Sequence, residues 1–323
     1  MQLRRRGRTG LQVSEIGFGA WGIGGTMWIG ATQDESLKAL HRAVELGMNL
    51  IDTALVYGMG RSEKLVGQLV RERKETLYVA TKVPPQNGIW PAEAGVPVSQ
   101  VFPGAHVTGS AEKSLRNLGL PAIDLLQLHV WRDEYLDEGD EWRRALEDLK
   151  ASGKVRFLGV SINDHDPGTA LRAVQSGLFD TVQVIYNLFD QSPEAELFPL
   201  CRTHDVGVLA RVPLDEGGLT GTITPDTTFP DSDWRNEYFA GDRKRQVHER
   251  ARALQAVMGD EARSLPELAL RFCLADDAVS TVIPGMRRLS TVEQNAAVSD
   301  GRRLSPALRV TLKEHAWARN FYP

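Results

Sequence analysis

The sequence predicts a (β/α)8 barrel, and three observations carry that expectation. Short runs of Val, Ile and Leu alternate eight times with longer amphipathic stretches, the pattern of strand and crossover helix around a parallel sheet. No Pro- or Ser-rich linker divides the chain, so the repeats favour one closed barrel over residues 1–323 rather than two open sheets. Polar or ionisable residues stand at the C-terminal ends of successive apolar strands, the face on which a barrel builds its site.

The elements follow in order. The opening MQLRRRGRTGLQVSEIG reads as a β-hairpin plugging the bottom of the barrel, with the basic run RRRGR (4–8) as a solvated part of it. The eight expected strands are IGFGA (16–20), MNLID (48–52), LYVATKV (77–83), DLLQLHV (124–130), VRFLGVS (155–161), TVQVIYN (181–187), VGVLAR (206–211) and STVIPG (280–285). Helical periodicity lies between them: in DESLKALHRAVELG, Leu37, Leu40 and Val44 fall on one face. Further helices read from residues 62–72, 109–119, 141–153, 167–177, 194–205, 265–276 and 291–300, several stopping at Gly47, Gly119, Gly153 or Gly177. Two connections, 84–104 and 214–245, exceed the usual few residues and are the natural places for a pocket.

Bulk properties exclude some classes. With 38 Lys and Arg against 42 Asp and Glu the net charge is −4, which gives no reason to expect nucleic acid or an anionic membrane as partner. No apolar run reaches the length of a membrane span, and Cys201 and Cys273 form no CxxC pair, so a soluble protein of a reducing cytoplasm is expected. GFGAWG (17–22) matches the dinucleotide-binding glycine pattern, but it runs into IGGTMWIGA rather than opening a helix. Its glycines instead suit close approach of backbone to a ligand. In NDHDP (163–167), Asp164 or Asp166 is expected to cap a helix with Pro167 at its first position, and no metal site is expected.

The residues at the strand ends are Asp52, Lys82, His129, Ser161 and Gln183, with Tyr57 five positions beyond Asp52. A core strand that ends on a carboxylate needs a cationic partner, and the neighbouring strand brings Lys82. A phenol titrates near 10 in water, and an adjacent ammonium is expected to lower that value and ready Tyr57 to give up a proton. Neutral His129 would donate a hydrogen bond to a carbonyl oxygen. The set suits protonation of an alkoxide as hydride reaches carbon.

These segments resemble the aldo-keto reductases over nearly the whole chain. IDTALVYG (51–58), TK (81–82), DLLQLH (124–129), GVS (159–161), Gln183 with YN, VPLDEGGLTG (212–221) and IPGMRRLSTVEQN (283–295) are similar to the family's segments in order. The resemblance implies an NAD(P)-dependent oxidoreductase acting on an aldehyde, ketone or sugar, with Asp52, Tyr57, Lys82 and His129 as catalytic tetrad. It implies a nicotinamide dinucleotide as coenzyme, NADPH more than NADH. Ser161 and Gln183 would grip the nicotinamide carboxamide, together with Asn163, which stands one place later than the family's asparagine because Ile162 intervenes. Gly19, Ala20, Trp21 and Asp52 would border the coenzyme, as would Val212, Pro213, Leu214 and Gly217. Ile283, Gly285 and Met286 belong to the clasping segment; Thr291 stands where many members carry an arginine for the 2′-phosphate, with Arg287 and Arg288 close by. Gln294 and Asn295 would face the adenine. Arg211 replaces the aromatic ring that commonly stacks on the nicotinamide, a role its planar guanidinium can also fill.

Trp21, Tyr57, Trp90, His129 and Trp131 are the expected walls of the substrate pocket, with Trp28 and Trp234 as candidates of the same kind. Two other uses of such a site stay open: a regulatory subunit that senses coenzyme, and an isomerase or lyase whose coenzyme is recycled internally. Substrate and oligomeric state are not legible.

Overall fold

The structure, a computed structural model, describes residues 1–322. Among the described residues there are ten strands. β1 (Leu3–Arg5) and β2 (Gln12–Ser14) pair antiparallel as the hairpin. The barrel strands are β3 (Phe18–Gly19), β4 (Leu50–Asp52), β5 (Tyr78–Val83), β6 (Ile123–Leu128), β7 (Val155–Ser161), β8 (Thr181–Ile185), β9 (Gly207–Arg211) and β10 (Val279–Val282). They are hydrogen-bonded in chain order and all parallel. Parallel bridges Ile16↔Val282 and Gly19↔Gly285 close the sheet on itself, with Gly17 N donating to Val282 O at 2.8 Å and Gly19 N to Pro284 O at 3.0 Å. This is the expected (β/α)8 barrel with its N-terminal hairpin.

Side chains alternate along each strand, and that period of two layers the interior. Leu50, Ala80, Leu125 and Leu209 form a lower apolar layer, sealed from beneath by Leu11 and Val13 of the hairpin. Two residues further along three of those strands the interior turns polar: Asp52, Lys82 and Gln127 follow Leu50, Ala80 and Leu125. The larger apolar core lies between sheet and helices.

The basic run of the hairpin is not solvated as expected. Arg6 is fully buried in the floor of the barrel, where burial lowers its guanidinium to about 10 while Asp124 and Asp180 draw it back up. Arg4 donates to Glu15 at 2.9 Å and to the carbonyls of Leu274 and Val279 at 2.7 and 2.8 Å, and Arg8 to the carbonyl of His204 at 2.7 Å. Arg5 alone of the four is exposed, paired with Asp205 at 2.6 Å. Arg4 and Arg8 thereby supply donors to one strand carbonyl and to two carbonyls at helix ends, whereas the Arg6 guanidinium has no hydrogen-bond partner among the described residues.

The long connections carry structure of their own. Residues Val98–Val101 form a helical turn in the first, and the second holds a 3-10 turn (Asp215–Thr220), a short helix (Arg235–Tyr238) and the start of a helix over Arg243–Val257. That last helix has no obvious stripe in the sequence because it buries only Val247, Ala251 and Leu254 among arginines and other polar residues. Asp166 takes the N-cap position ahead of Pro167 but makes no side-chain cap bond, and the expected helix 167–177 splits into a 3-10 turn (Pro167–Ala170) and one turn of α-helix (Leu171–Gln175). Asp164 is not a cap either.

Gly19 sits on the closing seam, where an added Cβ would meet Ile283 O at 2.6 Å and Pro284 O at 2.8 Å. Backbone cannot yield there without opening the barrel. Gly19→Ala is expected to cost about 1–3 kcal/mol, measured as a lower urea midpoint, because the methyl overpacks a fixed seam. An unchanged midpoint would show the seam to be pliable.

Candidate active site

β4 and β5 pair in register Asp52↔Ala80, and the right-handed slant of the barrel brings Lys82 over Asp52. Lys82 Nζ donates to Asp52 Oδ1 at 2.6 Å and to Thr53 O at 2.8 Å, with both side chains buried. The other carboxylate oxygen, Oδ2, accepts from Gln183 Nε2 at 2.7 Å and Gln127 Nε2 at 3.3 Å. The carboxylate that ended a core strand is therefore fully engaged. Burial by itself would lower the Lys82 ammonium, but Asp52 and Tyr57 outweigh it and the group is held above its ordinary value.

Tyr57 and His129 complete the group. Lys82 Nζ lies 3.5 Å from Tyr57 Oη, at the outer edge of hydrogen-bonding range, and 5.0 Å from the centre of its ring. The rings of Tyr57 and His129 meet edge-on with centroids 5.9 Å apart. Lys82 draws the phenol down as expected, but it does not set the net direction. Burial raises it above its ordinary value and Asp52 adds to that; Lys82 and Arg211 offset only part. Tyr57 is thus a neutral O–H at physiological pH, the form that donates a proton. His129 is pushed the other way: burial, Lys82 and Arg211 all lower it, so the imidazole is neutral as well, and its buried Nδ1 has no protein partner.

Above this floor a cleft of about 670 Å³ opens. Its lining includes Gly19, Ala20, Trp21, Asp52, Tyr57, Trp90, His129, Ser161 and Gln183. Val212, Pro213, Leu214, Gly217, Ile283, Gly285, Met286, Arg287 and Thr291 border it too. Trp28 and Trp234 join Trp21 in a cluster with centroids 5.9 and 5.7 Å from it, and Trp21 stacks on Tyr57 at 6.1 Å. The approach of the Trp21 loop to Tyr57 depends on Gly24 and Gly58, which touch backbone to backbone with Gly58 at φ 63°. Trp90 stands edge-on to His129 at 4.5 Å.

Four expected site residues are not delivered to the cleft in usable form. Trp131 is fully buried against Tyr135, Trp142 and Phe179 in the helix layer; it lies beyond the end of β6 at Leu128, where the strand's alternation no longer sets its direction. Asn163 borders the cleft, but its amide is spent on Ala92, accepting from Ala92 N at 3.2 Å and donating to Ala92 O at 3.1 Å. Gln294 is exposed and Asn295 is covered one helical turn beyond Thr291, past the edge of the cleft.

Arg211 has a partner that the sequence did not suggest. Its Nη2 donates to Asp164 Oδ1 at 2.6 Å and to Ile162 O at 2.9 Å; burial lowers the guanidinium, yet the Asp164 charge leads the opposing influences and the net shift is upward. Gln127, Asp164, Glu216 and Tyr322 were not singled out as site residues. Gln127 carries a readable signal, an amide inside the apolar strand DLLQLHV. Glu216 and Tyr322 come together only in three dimensions, with Tyr322 Oη donating to Glu216 Oε1 at 2.6 Å.

The family described as "Aldo/keto reductase family" matches residues 15–315, and the chain belongs to that family of NAD(P)-dependent oxidoreductases. It is 31% identical to the uncharacterized oxidoreductase YqkF of Bacillus subtilis (strain 168) over 98% of this chain and 96% of that one. It is 29% identical to the NADH-specific methylglyoxal reductase of Escherichia coli (strain K12) over 97% of each chain. Among solved structures it is similar to the glycerol dehydrogenase AKR11B4 of Gluconobacter oxydans, with a TM-score of 0.78 and 30% identity, covering 97% of this chain and 94% of the other. Among the described residues no helix is long and apolar enough to cross a membrane.

Glu216 supplies a pH prediction. Burial, with Asp215 adding, raises its carboxyl from 4.5 to about 7 against the pull of Tyr322. An acid raised on folding keeps its proton when the unfolded chain has lost it, so this group's favourable contribution is full below about pH 4.5 and declines as pH rises to about 7. The loss amounts to about 3 kcal/mol. Glu216→Gln, which cannot ionise, is expected to gain stability over the parent at pH 8 and to match it near pH 4.5, read from urea denaturation at both values. Parallel pH profiles for the two proteins would refute the assignment.

Proposed function

We propose that this protein reduces the carbonyl group of an aldehyde, ketone or sugar to the alcohol, and catalyses the reverse oxidation, with Tyr57 as the acid. The observation that carries this reading is the convergence on one cleft floor of a neutral phenol, an ammonium held by a buried carboxylate, and a neutral imidazole with an unpartnered nitrogen. A nicotinamide dinucleotide in the cleft would supply the hydride. Tyr57 transfers its phenolic proton to the carbonyl oxygen as negative charge gathers there. Lys82 stabilises the phenolate left behind, and Asp52 keeps the ammonium charged and oriented. His129, being neutral, donates to the same oxygen without competing for the proton.

The residues fit such a coenzyme. Ser161 and the free carbonyl end of Gln183 would hold the carboxamide, since the amide end of Gln183 is committed to Asp52. The guanidinium plane of Arg211 would lie against the nicotinamide, the segments 212–217 and 283–287 against the diphosphate. NADPH is the coenzyme in this reading, with Arg287 and Arg288 beside Thr291 taking the 2′-phosphate. One observation favours NADH instead: Arg287 Nη1 is occupied by Ile29 O at 2.6 Å. Trp21, Trp28, Trp90 and Trp234 would wall the substrate side, a surface suited to a flat carbonyl compound or to the apolar face of a sugar.

Tyr57→Phe tests the mechanism. Carbonyl-dependent oxidation of NADPH or NADH is expected to fall by about 10²–10⁴ while coenzyme affinity stays near the parent value. Turnover at the parent rate would sink the role of Tyr57. Binding without turnover in the parent, over a panel of sugar and aromatic carbonyls with both coenzymes, would favour a sensing subunit, and product without net coenzyme oxidation an isomerase or lyase.

A further inference from the structure

One stretch of the cleft wall adopts a backbone that its own residues disfavour. Val212, Asp215 and Glu216 have φ of 54°, 51° and 51°, followed by Gly217 at 106°. A side chain, and a β-branched one above all, holds the left-handed region only where its surroundings impose it. Val212, Leu214, Glu216 and Gly217 all border the cleft, whereas Asp215 points behind the wall into full burial.

The restraint comes from the end of the chain. Behind the wall the Arg319 guanidinium, itself only 6% exposed, donates to the Asp215 carboxylate, which also accepts from Tyr238 Oη at 3.1 Å. At the cleft surface Tyr322 donates to Glu216 and its ring stacks on Trp234 with centroids 5.4 Å apart. The tail is itself moored. Trp317 N donates to Phe189 O at 2.8 Å, Arg243 to Phe321 O at 3.0 Å, and Phe321 packs into an apolar cluster with Tyr238, Phe239 and Val247.

We propose that residues 317–322 form a strap that holds the 212–217 turn in the shape that receives the dinucleotide, with Arg319 and Tyr322 as its positioning residues. The proposal rests on the reading of the cleft as a coenzyme site. Arg319 does not border the cleft, so any effect of it on coenzyme must pass through Asp215 and the turn. Tyr322 borders the cleft and acts on the turn through Glu216. A turn released from the strap spends part of its time in other conformations, and if it keeps the receiving shape about a tenth of the time the apparent Kd for coenzyme rises about tenfold.

The test uses the full chain with Arg319→Met, Arg319→Lys and Tyr322→Phe. Coenzyme affinity is measured with NADPH and with NADH by fluorescence, hydrogen exchange is followed over residues 212–221 without coenzyme, and global unfolding is recorded beside them. Arg319→Met is expected to weaken coenzyme about tenfold and speed exchange locally at 212–221, with kcat at saturating coenzyme near the parent value. Arg319→Lys recovers most of the loss, and Tyr322→Phe gives a smaller one. An Arg319→Met protein that folds and keeps both parental affinity and parental exchange overturns the strap. Should that variant unfold because Asp215 is left buried and unpaired, the double variant Asp215→Asn with Arg319→Met removes both charges and is judged by the same two outcomes. A parent protein that binds neither coenzyme overturns the cleft reading instead, and hydrogen exchange then decides the strap alone.

Discussion

Everything in the mouth of this barrel is arranged around one buried ion pair, Lys82 with Asp52. Taking both charges out of water costs several kcal/mol each, and mutual attraction offsets that only if the remaining donors and acceptors are met. The surroundings meet them. Thr53 O takes a second ammonium hydrogen, and Gln183 and Gln127 fill the far carboxylate oxygen. Four strands thereby contribute to one hydrogen-bonded knot. The apolar layer of Leu50, Ala80, Leu125 and Leu209 below it excludes water from the underside, which a pair exposed on both sides would not enjoy.

That knot sets the protonation of its neighbours. Burial moves a phenol up and an imidazole down, and here it does both within one small space. The two neutral groups that result can each donate a hydrogen bond, whereas a tyrosinate would have no proton to give. Cationic charge stays fixed on Lys82 and Arg211, each matched by its own carboxylate, Asp52 and Asp164. The floor therefore offers positive charge to the cleft without a net excess that would cost the fold.

What could be read from the sequence was whatever depends on local period. Eight alternations of apolar run and amphipathic stretch indicate the barrel, and polar residues at the strand ends, Asp52 and Lys82 among them, point to the floor of the cleft. Tyr57, by contrast, lies on no strand, and it is legible through its place five positions beyond Asp52. What stayed hidden depends on contacts between distant segments. Trp131 has the composition of a pocket wall, and only the direction of its side chain shows otherwise. Arg6 sits in a run that looks like surface, yet it is fully buried in the floor of the barrel, where Asp124 and Asp180 draw on its charge. The helix over Arg243–Val257 buries so few apolar residues that no stripe stands out. Glu216 and Tyr322 are 106 residues apart, and nothing in either segment announces the other.

Three departures from the family's usual residues are best understood as one change. Arg211 stands where a ring is common, Ile162 where asparagine is common, and Asn163 one place late. In the fold Ile162 turns its side chain into the core and leaves its carbonyl to accept from Arg211, while the shift brings Asp164 to the other side of the same nitrogen. The displaced Asn163 is then free to staple Ala92, which ties the long connection after β5 to the end of β7. A tyrosine or tryptophan at 211 alone would restore the ring but leave Asp164 and the Ile162 carbonyl without their donor at the edge of a half-closed cleft. An orphaned carboxylate there is costly in itself and would repel a dinucleotide phosphate. Arg211 is thus tied to the segment at the end of β7 through the Ile162 carbonyl and the Asp164 carboxylate, so a change at 211 is felt at both.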